Sequence, residues 1–365
     1  MNFAGILARA EAGEDLSVPE LTVLLAPPDS EAAAALTAAA HRVKTAVCGD
    51  SVHLRGLIEF SNLCNRDCFY CGIRRSMTTV RRYRMSADEI VRAATRAGEY
   101  GYGSVVLQSG ERDDPEFTEF LTGVLRRIAA LPYRLGITLS CGEQSRETYL
   151  RWREAGATRY LLRIESSNPA LFARIHPAEW RWEDRAAALA RLKEADYQVG
   201  TGVMIGLPGQ TTADLAADVK FFQRIDADMI GMGPYLPQDD TPMGQRYPDA
   251  PGAAEARLEL ALRMISVTRL LLRDVNIAAA TALQAISPAD GRERGILAGA
   301  NVIMPNVGDP AYRRGYQLYN GKPGLDENAA ALRAALLANL AAIGARPDFN
   351  APGDPLHYAV RTGKP

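Results

Sequence analysis

Residues 52–72 read VHLRGLIEFSNLCNRDCFYCG. The first nine, Val52–Phe60, form an apolar run of the length of a buried strand. Cys64, Cys68 and Cys71 follow it directly, spaced C-x3-C-x2-C. Three thiolates this close can each hold one iron of a [4Fe–4S] cube, and the fourth iron is then left without a protein ligand. A chain built only for electron transfer normally supplies a fourth cysteine. An open iron implies chemistry at that iron, with an outside molecule as its ligand.

Other uses of the three cysteines fit the sequence less well. A disulfide framework needs an oxidising compartment and a larger, usually even set of cysteines. This chain has five in 365 residues, and the other two, Cys48 and Cys141, lie far apart. A zinc site needs a second pair of ligands at short spacing. His41, His53, His176 and His357 are each isolated. Structural burial explains a single cysteine more readily than three in a loop that ends on Gly72.

Outward from residue 52, short apolar runs alternate with longer amphipathic ones. The strand candidates are 52–60, 104–109, 135–140, 159–165, 198–205, 229–232, 275–280 and 301–304. Helix candidates between them cover 86–100, 115–131, 144–155, 182–195, 211–225 and 253–272. Repeated units of this length predict an α/β protein with a (β/α)8 TIM-type barrel. A doubly wound open sheet is the alternative, because local patterning does not show closure.

Before the barrel, residues 1–50 form an N-terminal helical extension, broken by Pro27-Pro28-Asp29, with Ser30 as a helix cap. The barrel spans 51–305. Residues 306–365 form a C-terminal closing segment of loops, a helix near 327–345 and a polar tail.

The chain is 47% apolar and 23% charged, with net charge −1. These are values of a globular protein with an ample core, and they argue against a general nucleic-acid binder. No apolar run is long enough for a membrane span, and the first residues lack a signal-peptide pattern. Few cysteines and an oxygen-sensitive cluster point to a reducing cytoplasm.

In a barrel, active-site groups gather at the C-terminal ends of strands. The second strand ends Gln108-Ser109-Gly110-Glu111, where a glycine turn either simply connects or exposes backbone groups to a ligand. Along the fourth strand, alternation places Arg163 and Glu165 on one face. They form a rim ion pair or contact a bound charged group. After the fifth comes Gly206-Leu207-Pro208-Gly209-Gln210-Thr211, a tight turn whose threonine caps the next helix. Tyr312, Tyr316 and Tyr319 follow the eighth strand, and tyrosines at such spacing are more often core or rim than catalytic.

The cysteine spacing, with Tyr70 just before the last cysteine, resembles the signature of the radical S-adenosylmethionine (SAM) family. That resemblance implies one [4Fe–4S] cluster held by Cys64, Cys68 and Cys71. It also implies SAM chelating the open iron, and reductive cleavage of SAM to a 5′-deoxyadenosyl radical. It implies SAM contacts from Tyr70, Gln108, Ser109, Gly110, Glu111, Arg163, Glu165, Arg185 and Met204. Residues 58–64, 68–75, 82–85, 106–111, 301–306 and 316–322 further resemble the [FeFe]-hydrogenase maturase group HydE.

The HydE resemblance implies action on a small Fe(CO)2(CN)–cysteine complex in hydrogenase H-cluster assembly. Thr281, Met304, Tyr316 and Tyr319 would line the substrate cavity. The implied partners are a flavodoxin- or ferredoxin-type electron donor, HydG and HydF, with no nucleic acid or membrane. A radical SAM mutase or sulfur-inserting enzyme, similar to methylornithine synthase (PylB) or biotin synthase, is the second reading. A plain Fe–S scaffold is the third, and it predicts no SAM cleavage. Two departures from the HydE pattern stand out. Ile164 occupies the place of a histidine, and residues 319–328 carry no cysteine for a second cluster.

The three-ligand reading assigns no iron to Cys48 or Cys141. Each replaced singly by alanine retains about four irons per chain, measured by iron assay after reconstitution. Loss of iron in Cys141→Ala overturns the assignment.

Overall fold

The structure, a computed structural model, describes residues 2–363. Eight strands build its centre: β1 (Ser51–Ser61), β2 (Ser104–Ser109), β3 (Gly136–Ser140), β4 (Arg159–Leu161), β5 (Gln198–Thr201), β6 (Met229–Ile230), β7 (Asn276–Ile277) and β8 (Val302–Ile303). All neighbours pair parallel, in the order 8-1-2-3-4-5-6-7. A parallel bridge between Ala278 and Val302 joins the two ends. The Asn301 amide donates to the Ile277 carbonyl and the Ala279 amide to that of Val302, both at 2.9 Å. An open doubly wound sheet would leave two unpaired edges, so closure decides for the (β/α)8 barrel.

The first strand shows how the sequence makes two layers. Val52, Leu54, Ile58 and Phe60 enter the main apolar core shared with the surrounding helices. Arg55 and Leu57 alternate with them, Arg55 lining a small cavity inside the ring and Leu57 a pocket beside it. The strand is therefore buried on both faces and reads as a continuous apolar run.

Several strands are shorter than their apolar runs suggest. The run 159–165 pairs as regular strand only to Leu161. The run 198–205 breaks at Gly202 and resumes as Met204–Ile205, which pairs with Gly233–Pro234. At Gly202 a side chain would strike the Gly231 carbonyl, 2.0 Å from an added Cβ.

The N-terminal helices Phe3–Ala12, Val18–Leu25 and Ser30–Cys48 bury Leu21, Leu24, Leu25 and Leu36 against Ala253–Leu271 and Thr212–Arg224. The cap of the third is Asp29, not Ser30. Its carboxylate accepts from the Ala32 amide at 2.8 Å, and Ser30 is already the first helical residue. No helix among the described residues is long and apolar enough to cross a membrane.

The polar C-terminal stretch has a structural use that its composition hid. After the helix Ala329–Ala342, β9 (Arg346–Asp348) pairs with the start of β1. The next residues floor the barrel at the N-terminal ends of its strands. The Gly353 carbonyl accepts from Arg55 (3.0 Å) and Asn276 (2.8 Å). Asp354 pairs with Arg159, and Gln198 donates to the same carboxylate at 2.6 Å. The Arg159 side chain is fully buried, and a buried charge needs such partners.

The last helix, Leu356–Thr362, is pinned by His357. Its Nδ1 meets Asp274 at 3.1 Å and its Nε2 meets Asp226 at 2.7 Å, with Lys193 and Arg361 also contacting Asp226. The hydrogen bond to Asp274 and then that to Asp226 raise the imidazole pKa, outweighing burial. A raised folded-state value favours the charged form. Its stabilisation is complete below the unfolded pKa of about 6.5 and fades as pH rises through the folded value. His357→Ala is expected to cost about 1.5–3 kcal/mol at pH 6 and distinctly less at pH 9. Urea melts at the two pH values check this, and an equal cost at both refutes the pairing.

Candidate active site at the barrel mouth

The loop after β1 carries the three cysteines, and local bonds fix its shape. Arg82 donates to five carbonyls of this region, those of Asn62 (2.7 Å), Ile73 (2.8 Å), Met77 (3.0 Å), Arg75 (3.3 Å) and Arg74. Asn62 is fully buried; its amide group donates to Arg81 and Gly315 while its oxygen accepts from the Tyr83 amide. Asp67 holds Arg74 and Ser76 across the turn, both at 2.7 Å. These residues bear no reacting group; sequence reasoning noted the segments 58–64, 68–75 and 82–85 that hold Asn62, Arg74 and Arg82, but assigned these three no role.

The loop lies directly on the end of β2. The Gly110 amide donates to the Ser61 carbonyl (2.9 Å), and that of Asn65 to the Glu111 carbonyl (2.8 Å). An added Cβ at Gly110 would lie 2.4 Å from the Leu63 carbonyl oxygen, so only glycine fits. The Glu111 amide points at Cys64 Sγ, 3.3 Å away. An amide aimed at sulfur stabilises a thiolate and tunes a metal bound to it.

Burial pushes the Cys68 thiol up to about 12 and also raises Cys64 and Cys71. The buried positions disfavour a bare thiolate and suit one whose charge is met by iron. Among the described residues, no three His, Cys, Asp or Glu side chains converge on a point that would hold a single metal ion. A cube asks for a different arrangement, since each thiolate binds its own iron. The three cysteines fit a [4Fe–4S] cluster in type, number and setting.

Beside the loop opens a cavity of about 320 Å³ at the C-terminal ends of the strands. Cys64, Cys68, Tyr70 and Cys71 line one side, and Gln108, Ser109, Gly110 and Glu111 the adjacent wall. Arg163, Glu165, Arg185 and Met204 follow, and Thr281, Tyr316 and Tyr319 close the far side. Met304 stands apart. It lines a small pocket of about 20 Å³ within the ring and a side pocket of about 90 Å³ that shares Thr281 with the main cavity. Cys48 and Cys141 do not line the cavity; Cys48 Sγ contacts the Arg273 carbonyl and Cys141 Sγ that of Leu107.

Arg163 and Glu165 do meet, with Arg163 Nη2 at 3.0 Å from Glu165 Oε2. Strand alternation is not the cause, because the regular strand has ended four residues before Glu165. Glu165 has φ of 64°, a left-handed conformation that costs a non-glycine residue about 1–2 kcal/mol. Two hydrogen bonds hold it there: its amide donates to the Gly202 carbonyl (3.0 Å), and its carbonyl accepts from Met204 (3.1 Å). Ile164 turns into the apolar core and does not line the cavity. The residue at this position therefore alters packing, not the cavity wall.

Sequence reasoning missed Glu143 and Arg66. Arg185 donates to Glu143 at 2.5 Å and to the Arg163 carbonyl at 2.7 Å, and lies 3.9 Å from Glu111. Arg66 pairs with Glu111 and with Glu143 (3.2 Å), and its guanidinium stacks 3.6 Å over Trp180. Burial acts to depress the Arg185 pKa, but Glu143 and Glu111 outweigh it and the net shift is upward. Burial raises the Glu111 carboxyl despite Arg185 and Arg66. The signal in sequence was faint: Gly142-Glu143 after β3 is one more strand-end turn.

The turn at 206–211 is built around Gln210. Its side-chain oxygen accepts from the Gly206 amide (2.7 Å) and its nitrogen donates to the Met204 carbonyl (3.1 Å). Gly206 and Gly209 have φ of 81° and 77°, and Thr211 caps the next helix in a reciprocal pair with Asp214. The turn thus fixes Met204 in the cavity wall.

Comparison with known proteins agrees with this arrangement. The model of the Radical SAM superfamily matches residues 58–222. The [FeFe] hydrogenase maturase subunit HydE of Thermotoga maritima is 41% identical over 314 residues, covering 86% of each chain. The crystal structure of methylornithine synthase (PylB) superposes with a TM-score of 0.79 at 24% identity, over 94% of this chain and 98% of that one. The maturase HydG of Carboxydothermus hydrogenoformans gives 0.77 at 20% identity, over 95% and 79%. At these identities the two structures speak for the fold.

The left-handed Glu165 yields a stability test. Glu165→Gly is expected to exceed Glu165→Ala in stability by about 1 kcal/mol, since both lose the carboxylate and only alanine keeps the strain. Equal urea midpoints would show that the backbone there is relaxed.

Proposed function

This chain belongs to the HydE family of radical SAM enzymes, and we propose that it works in [FeFe]-hydrogenase H-cluster assembly on a small Fe(CO)2(CN)–cysteine complex. The supporting observation is one cavity that gathers three cysteine thiols, a guanidinium–carboxylate cluster and two tyrosines. Cys64, Cys68 and Cys71 would hold one [4Fe–4S] cluster. When bound, that group supplies the single electron that reductively cleaves SAM to a 5′-deoxyadenosyl radical.

The protein's own part is to bind and orient. Arg185 lines the cavity with Nη2 3.9 Å from Glu111, and its raised pKa keeps the guanidinium charged. It binds the methionyl carboxylate of SAM, helped by Arg163. Glu143 keeps Arg185 in place. The end of β2, Gln108 to Glu111, takes the amino group, and Glu165 takes the ribose hydroxyls. Met204 and Tyr70 form the apolar walls on either side. Pre-set donors and acceptors of this kind need no rearrangement during reaction.

Thr281, Tyr316 and Tyr319 bound the substrate end. Tyr316 is buried, and burial raises its phenol well above its ordinary pKa and raises that of Tyr319. Both therefore stay neutral and can donate hydrogen bonds to an anionic complex. Met304 reaches that region from the side pockets. A reducing cytoplasm, a low-potential electron donor, HydG and HydF complete the setting.

The test uses reconstituted protein under anaerobic reduction with SAM, with and without the iron complex made by HydG. The expected result is 5′-deoxyadenosine, an adduct with the complex and support of hydrogenase activation. Cys64→Ala, Cys68→Ala or Cys71→Ala should each abolish the cluster's optical band. SAM cleavage without use of the iron complex rejects the maturase role and leaves the radical SAM activity standing.

A further inference from the structure

A second concavity, of about 380 Å³, lies on the outer side of the cysteine loop. Its walls come from the helices Pro169–Ile175 and Pro242–Arg246. Phe69, Ile175 and Met243 give it an apolar floor, and Arg174 and Arg246 stand exposed at its edges. No aspartate or glutamate lines it. Neither arginine forms an ion pair with a described residue. Arg174 donates to the Pro208 carbonyl at 3.0 Å, and Arg246 lies 5.3 Å over the Tyr247 ring. The chain as a whole has net charge −1, so this local positive excess is not a by-product of a basic protein.

The floor of this groove is part of the cysteine loop. Phe69 sits between Cys68 and Tyr70, and both its peptide groups are bonded into the groove walls. Its amide donates to the Ile175 carbonyl, and its carbonyl accepts from the Met243 amide, both at 3.0 Å. Phe69 and Tyr70 pack together on Ile175, Met204, Leu207, Tyr235 and Met243, and Tyr235 and Met204 also line the main cavity. The groove and the cavity are thus two sides of one thin wall that carries the cysteines.

We infer that this groove is the docking site of an acidic, low-potential, one-electron carrier protein, a reduced flavodoxin or ferredoxin. The inference rests on the radical SAM reading of the cavity and adds where the electron enters. The carrier gives up one electron and the cluster takes one, with no proton or group transferred. Two unpaired guanidinium groups around an apolar floor suit an acidic partner in a small, transient interface, where charge steers the encounter more than it sets its lifetime. The SAM side of the wall faces the cavity that the nucleotide would fill, which leaves the outer face as the short route for an electron from a protein too large to enter.

The experiment measures binding of oxidised flavodoxin to the reconstituted full chain by anisotropy, at low and moderate salt. Arg246→Glu should weaken binding about tenfold and flatten the salt dependence. Arg174→Gln with Arg246→Glu should weaken it further, and Arg246→Lys should stay near the original affinity. Arg224→Glu, an exposed arginine on the helix Thr212–Arg224, should have no effect. SAM cleavage driven by dithionite should run at the unaltered rate in Arg246→Glu, while cleavage driven by reduced flavodoxin slows in step with the lost affinity. Equal affinity of Arg246→Glu and the unaltered protein overturns the proposal, as does an equal loss in Arg224→Glu. A change in the protein's own sedimentation, with carrier binding unchanged, would assign the groove to a second copy and also overturn it. If the unaltered protein fails to cleave SAM with dithionite, the fault lies in the radical SAM reading, and the binding arm still decides the docking site.

Discussion

Closure of the parallel ring is the constraint on which the rest depends. The backbone bonds between the ends of β7 and β8 convert a sheet with two edges into one with none. Because every strand runs the same way, every carboxyl end opens on one rim. Residues as distant in sequence as Cys64 and Tyr319 become neighbours for that reason. An open sheet would have spread the same side chains along a line.

The two ends of the ring carry different kinds of charge. At the N-terminal end, Arg55 and Arg159 are capped by the chain's own C-terminal loop, through the Gly353 carbonyl and Asp354. That end is filled and serves stability. At the C-terminal end, Arg66, Glu111, Arg163, Glu165 and Arg185 surround open space, with Glu143 pairing Arg66 and Arg185. Their mutual pairing keeps several opposite charges together in a confined site. The price is a strained residue: Glu165 occupies a left-handed backbone position that the bonds to Gly202 and Met204 enforce. Strain of this kind is sustained only where surrounding structure over-determines it, and here it turns a carboxylate into the cavity.

The cysteine loop serves two faces at once. Its inner side presents the thiols, and its outer side, through Phe69, floors a basic groove. Arg82 and Asn62 make this possible by satisfying the carbonyls and amides of a segment with no regular secondary structure. A loop so tightly bonded can hold its ligands at fixed positions while exposing one of its side chains to a partner.

Most of the architecture was legible in the chain itself. Short apolar runs and period-3.6 patterns mark the strands and helices because burial requires them, and the cysteine spacing marks an incomplete set of iron ligands. Fifteen of the sixteen site positions inferred from sequence line a single cavity, with Met304 the exception. What the pattern could not carry was any effect that depends on a partner distant in sequence. Glu143 and Arg66 matter only because Arg185 folds onto them. The 346–363 stretch looks like a polar tail until buried arginines supply a use for its carbonyls and carboxylate. Arg163 and Glu165 meet because residues 202–204 bend the backbone between them, not because a strand alternates. Local sequence sets what each segment prefers and which groups it can offer. Only the closed ring decides which of those groups face one another, since desolvation and pairing act through space.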